Sequence, residues 1–366
     1  MKIKTNKKYF DKELEKIEKA LDGNAHLDSL KGILFTVNES YAELIVSDGN
    51  LSIKSKIEKN ENFQIEDPGV ILIPGKLLIK LIKKMSNEII LEKKGSKLIV
   101  TSENSKANIN LLEKNDYPKI NFDINGSEFL IKKQSLENII NNVSFAVSTR
   151  DKQIIFNGIN LKGSGSKIYA SATNKFRLAR EVMEVEGEVD FNITLLPKNL
   201  KAFLPSEDQE VEITVSNNKI KTYYKNITVL SNLLDGIYPD ISSKIPSDFD
   251  LNKTLEIDES TMLKLIDNVT VINNENNNKI KIKITKEDLL ITSYRSEIGN
   301  VEAKTSDIVW VGDDFEITIN GDFLSSAIKK FNGKIKLMFT ERDNLFLIVG
   351  SSNKKLIQLI LPYRDY

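Results

Sequence analysis

Apolar residues recur at helical spacing in three well-separated stretches of the chain. In residues 8–21 (KYFDKELEKIEKAL), Phe10, Leu14, Ile17 and Leu21 fall on one face, with charges on the others. Residues 135–145 (SLENIINNVSF) place Leu136, Ile139, Ile140 and Val143 at the same period. Residues 259–271 (ESTMLKLIDNVTV) align Met262, Leu263, Leu265 and Ile266 along one side. The spacing predicts an amphipathic helix in each. A second helical pattern also occurs three times, as IPGKLLIKLIKKM from Ile73, LPKNLKAFL from Leu196 and INGDFLSSAIKKF from Ile319. Each ends an extended apolar run (VILI, FNITL, FEITI). Each is followed by polar–apolar alternation that predicts strand–turn–strand: EIILEKKGSKLIV, VEITVSNNKIKTYY and KIKLMFTERDNLFLIV.

The intervals are regular. Counted from Lys8, Gln134 and Glu259, the first helices lie 126 and 125 residues apart, and the second set lies 123 apart both times. Tyr117-Pro118 and Tyr238-Pro239 punctuate the first two units, and Leu361-Pro362 closes the third. One third of 366 residues is 122, so a threefold repeat accounts for the whole chain. Each unit has two amphipathic helices among about eight short strands, which predicts α+β domains at 1–120, 127–247 and 250–366. Like domains joined end to end acquire a similar rotation at each junction. An arc built this way closes into a ring when a second copy meets it, although a rod or an open arc also satisfies the repeat.

Composition removes several classes of function. Lys plus Arg and Asp plus Glu are each 52, so the formal charge is zero and a globally basic nucleic-acid binder is excluded, but not a local basic patch. One histidine, His26, and no cysteine exclude disulfides, a thiolate nucleophile and Cys/His zinc sites. The basic start MKIKTNKKYF leads into no apolar run, and no stretch approaches the length of a membrane span, so a cytoplasmic protein without membrane contact is expected. No phosphate loop, dinucleotide fingerprint, HExxH or nucleophile elbow is present. No catalytic residues, metal or cofactor are therefore expected. The glycines of residues 162–166 (KGSGS) sit between two strand-like runs and predict a hairpin turn.

Lysines offer a positive lead. Lys76, Lys80, Lys83 and Lys84 share one side of a predicted helix without acidic residues. The corresponding elements carry Lys198 and Lys201, then Lys329 and Lys330. Such a lining attracts phosphates without reading bases, and enclosure supplies the retention that weak contacts lack. Solubilisation of a helix face is the alternative. The chain end KKLIQLILPYRDY is apolar almost to its last residue, and residues 171–180 (SATNKFRLAR) form a turn flanked by apolar and basic positions. A pocket lined by such residues suits a short linear peptide with apolar anchors.

Four stretches together carry a resemblance: Phe156-Asn157-Gly158, residues 172–179 (ATNKFRLA), residues 234–240 (LDGIYPD) and Leu361-Pro362-Tyr363-Arg364. In these and in the order of its repeats the chain resembles the bacterial DNA polymerase III beta subunits, the DNA sliding clamps. The resemblance implies three tandem repeats of the clamp fold forming half of a closed ring, completed by a homodimer around double-stranded DNA without sequence preference. It implies a non-catalytic processivity factor, a clamp-loader ATPase that places the ring, and a replicative polymerase and repair proteins bound through short peptide motifs. It implies a peptide cleft of Phe156, Thr173, Lys175, Arg177, Leu178, Pro239, Leu359, Leu361, Pro362, Tyr363 and Arg364. It further implies a dimer contact through Ala107 and Ile109 on one side and Val271 and Ile272 on the other. Some positions depart from the family pattern. Asn174-Lys175 stands where Asp-Gly is common, which predicts a different turn geometry because lysine, unlike glycine, resists positive φ. Residues 241–244 (ISSK) replace a segment often bearing Tyr and Arg, and Asn24 replaces a DNA-touching arginine. A peptide-binding scaffold that never encloses DNA is the alternative function, with a hydrolase or transferase more distant.

Overall fold

The structure, a computed structural model, describes residues 1–246, 251–273, 278–340 and 345–363. Six α-helices occur among them: α1 (Lys7–Glu18), α2 (Gly75–Lys84), α3 (Lys133–Val143), α4 (Pro197–Ala202), α5 (Glu259–Thr270) and α6 (Gly321–Ile328). They coincide with the two sets of periodic stretches. Three of them start at side-chain caps: for α1 the Asn6 Oδ1 accepts the N–H groups of Lys8 (3.0 Å) and Tyr9 (3.3 Å), for α5 the Asp258 Oδ1 accepts that of Ser260 (3.0 Å), and for α6 the Asn320 Oδ1 accepts that of Phe323 (3.0 Å). The apolar stripes are buried. Phe10, Leu14 and Ile17 of α1 and Leu78 and Ile82 of α2 are inaccessible, and Phe10 packs at 6.1 Å from Phe35 and 6.3 Å from Phe63. No helix among the described residues is long and apolar enough to cross a membrane.

The chain divides into two compact units, Met1–Gln134 with Lys198–Leu233, and Ser135–Pro197 with Leu234–Tyr366. The middle repeat is thus shared between them, and the strand pairing explains why. In the first unit an eight-stranded antiparallel sheet joins strand Ile227–Asn232 of the middle repeat to Leu51–Glu58 of the first. In the second unit a seven-stranded sheet joins Arg177–Leu195 of the middle repeat to Leu356–Ile360 of the last. Smaller sheets complete each unit. A five-stranded one ends on Ser105–Asn110, and a four-stranded one ends on Gly299–Thr305.

One expectation is overturned. The glycines of residues 162–166 do not reverse the chain; they lie inside the long strand Ile159–Thr173, paired along its length with Arg177–Leu195. Gly165 has φ +59° beside a register shift, so it supports a bulge, while a Cβ on Gly163 would lie 2.8 Å from the Phe191 ring. The reversal comes later, at residues 174–176.

Candidate peptide cleft and lysine-bearing helices

The cleft residues gather in the second unit around the junction of Arg177–Leu195 with Leu356–Ile360. Leu178 pairs with Leu359 across that ladder, and both bury against Leu347. Ile241, Ile245, Met338 and Ile357 pack on this small cluster while remaining partly open. Ile241 falls in the segment 241–244 that the resemblance singles out, whereas sequence reasoning missed Met338 and Leu347, which lie in ordinary strand alternation, and Ile245, which follows in an irregular segment. After Ile360 the chain leaves the ladder. The Leu361 N–H donates to the Phe176 carbonyl at 2.9 Å and the Tyr363 N–H to that of Thr318 at 2.8 Å. Two backbone bonds therefore hold the tail in place with Leu361 and Tyr363 exposed and Pro362 half-buried. Arg364 lies outside the described residues.

The turn at residues 174–176 adjoins this cluster, its Phe176 carbonyl holding the Leu361 N–H. Lys175 has φ +76°, so the lysine adopts the left-handed conformation that it was expected to resist. Side chains compensate. The Thr173 hydroxyl donates to the Arg177 carbonyl (2.7 Å) and accepts the Lys175 N–H (3.0 Å), while the Asn174 Oδ1 accepts the N–H groups of Phe176 (3.1 Å) and Arg177 (2.9 Å). The Lys175 ammonium pairs with Asp151 at 2.7 Å and sits 4.6 Å from the Phe156 ring centroid. That ammonium, together with the Gln153 N–H, holds the Asp151 carboxyl below its usual range. Phe156 in turn packs 6.1 Å from Tyr238, which brings the exposed Pro239 to the same region.

Arg177 is half-buried and already engaged. Its guanidinium donates to the Ser326 hydroxyl (2.8 Å) and to the Phe145 carbonyl, and it stacks 5.1 Å from the Phe145 ring and 4.5 Å from Phe323. Burial lowers its pKa to about 10. The side chain braces the strand against α6.

The lysines divide into kinds. Lys76, Lys80, Lys83 and Lys84 are exposed on α2 opposite buried Leu78, Ile79 and Ile82, and Lys83 pairs with Glu18 at 3.2 Å. Lys198 and Lys201 are exposed on α4, with Lys198 paired to Asp48 at 2.9 Å. In the third repeat the lysines lie beyond the helix: Lys329 caps α6, and the half-buried Lys330 approaches the Phe145 ring at 5.7 Å. Sequence reasoning also missed Lys19, whose ammonium donates to the Leu204 carbonyl at 3.3 Å. Burial, then the positive Lys133, lowers its pKa.

Of the dimer candidates, Ala107 and Ile109 lie on the outermost strand of the five-stranded sheet. Ile109 is 3 % exposed and belongs to the core, whereas Val271, capping α5, is 74 % exposed and Ile272 is half-buried. Among the described residues no three His, Asp or Glu side chains converge as metal ligands.

Tandem α+β repeats share sheets across their junctions, with a small apolar cluster where the middle repeat meets strand Leu356–Ile360, and likeness to known proteins gives the family of this fold. Residues 1–121, 130–240 and 243–364 match, in order, the N-terminal, central and C-terminal domains of the DNA polymerase III beta subunit. The chain is 28 % identical over 383 residues to the beta sliding clamp of Mycoplasmopsis pulmonis and 28 % over 382 to that of Bacillus subtilis, each match covering all of both chains. The crystal structure of the Bacillus subtilis DNA polymerase sliding clamp superposes with a TM-score of 0.93 at 27 % identity, again over all of both chains. The chain belongs to the DNA polymerase III beta subunit family, the beta sliding clamps.

Proposed function

We propose that this protein is a DNA sliding clamp without catalytic activity of its own. Two copies, each contributing domains 1–120, 127–247 and 250–366, close head to tail around duplex DNA and tether the replicative polymerase. The observation that carries this reading is the ordered, full-length match of all three domains to beta sliding clamps. The lysines of α2 and α4 supply phosphate attraction that is indifferent to base sequence. Polymerase and repair proteins dock short peptides on Leu178, Leu359, Leu361, Pro362 and their neighbours, a reading supported by apolar side chains left partly open beside a fixed tail. A clamp-loader ATPase opens the ring, and the work is done in the cytoplasm, where the chromosome is copied.

Retention on circular DNA tests enclosure. Loaded protein should stay on a closed circle and leave after a single linearising cut, with a native mass of two chains in solution. Equal retention on circular and linear DNA, or equal loss from both, would replace the clamp with a peptide-binding scaffold.

A further inference from the structure

The hairpin that carries the peptide cleft forms a second concavity beyond Pro239. A cleft of about 400 Å³ opens between strands Ile159–Thr173 and Arg177–Leu195 and the segment after Tyr238. Pleating sets its relation to the first. Thr173 faces Leu178 across the ladder, and two residues along each strand Ser171 faces Arg180 on the same side of the sheet. The concavity thus continues the apolar cleft along one sheet face.

Its chemistry differs from that of the apolar half. Lys162 and Arg180 contribute two cations against one lining carboxylate, Asp240. That carboxylate accepts the Ser242 N–H at 3.0 Å and forms no ion pair among the described residues. Arg180 is half-buried, its Nε is buried without a hydrogen-bond partner among the described residues, and its guanidinium lies 5.5 Å from the Tyr169 ring. Loss of water lowers its pKa. Asp240 is near enough to act on Arg180 through space without contacting it, so this cation, taken partly out of water, still lacks a contacting anion. The Asn160 amide donates to the Asn192 Oδ1 at 2.8 Å, leaving the exposed Asn192 amide nitrogen without a partner among the described residues.

We propose that this concavity binds the carboxylate of an acidic side chain on the same linear peptide whose apolar anchors fill the Leu178–Leu359 cleft. The inference rests on the peptide-cleft reading. A planar guanidinium, an ammonium and an amide together match a carboxylate's two oxygens. A nucleic-acid backbone fits less well, because the adjoining apolar surface offers it no partner.

The test uses the full-length protein and short synthetic peptides bearing two adjacent large apolar anchor residues. A single Glu is moved through the flanking positions, each peptide being matched to its Gln counterpart. At one flank Glu should bind about tenfold tighter than Gln. Arg180→Gln should remove that preference and the exposed Lys162→Gln should reduce it, while the Gln peptide binds both variants as it binds the wild type. Equal binding of Glu and Gln peptides at every flank, with Leu178→Ala still weakening both, would overturn the acidic site and leave the cleft standing. A Glu preference that survives both variants would also overturn it. Failure of every peptide to bind the wild type would overturn the cleft and this inference together.

Discussion

Lys175 occupies a backbone conformation that costs an L-residue about 1–2 kcal/mol, and nothing in its own chemistry favours it there. The turn persists because Thr173 and Asn174 satisfy the amides around it, and because the lysine side chain finds Asp151 and Phe156. Glycine and alanine separate these contributions. Both remove the side-chain contacts, but only glycine relieves the backbone, so Lys175→Gly should be more stable than Lys175→Ala by about 1 kcal/mol in denaturant unfolding. Equal stabilities would mean that the loop relaxes out of the left-handed region. The Asp151 pair adds a pH dependence. Its folded-state pKa is lowered, so its contribution is present above the usual carboxylate pKa of about 4 and disappears as pH falls through the lowered value. The stability gap between wild type and Lys175→Ala should therefore narrow in acid. The unusual lysine was visible in the sequence, but the outcome depended on Asp151 and Phe156, whose approach only the fold creates.

At the scale of elements, what was legible is what local sequence determines. The stripes of α1, α2 and α5 and the strand pairs after the second helices carry their period within a few residues. Partner choice between strands is not local: nothing around Ile227 names Leu51–Glu58 as its neighbour, so the sheets crossing the repeat junctions were not readable. The glycines near 165 were misread for the same reason, since a bulge and a hairpin ask the same freedom of a glycine until the partner strand is known. Around the Leu178–Leu359 cluster, the resemblance singles out the tail, Leu178 and the segment 241–244, whereas Ile245, Met338 and Leu347 carry no local signal of their place there. The α2 lysines are a readable pattern with a testable consequence. Replacing Lys80, Lys83 and Lys84 with alanine should weaken DNA association and reduce the slope of log affinity against log salt. The reduction should be about 2 rather than 3, because Glu18 already neutralises Lys83. Glu18→Gln should strengthen association. An unchanged slope in the triple variant would remove α2 from the DNA-facing surface.

For the whole molecule, assembly and folding make opposite demands on the residues named for the dimer contact, and exposure tells them apart. Ile109 is 3 % exposed on the last strand of its sheet; Val271 is 74 % exposed at the end of α5. A charge at position 109 enters a core with no partner to compensate it. Ile109→Glu should then destabilise the fold by more than about 3 kcal/mol, seen as a lowered unfolding midpoint whatever the protein concentration. A charge at position 271 stays hydrated in the free chain and costs little until a second copy covers it. Val271→Glu should keep the wild-type unfolding transition at low concentration and halve the native mass. If enclosure is what retains the protein, it should also lose retention on circular DNA while its peptide affinity is unchanged. The combination is diagnostic, because a scaffold that binds DNA by its surface would tolerate the loss of its dimer. A Val271→Glu protein that remains dimeric would move the subunit contact away from the end of α5. One that becomes monomeric yet stays on circular DNA would separate retention from closure.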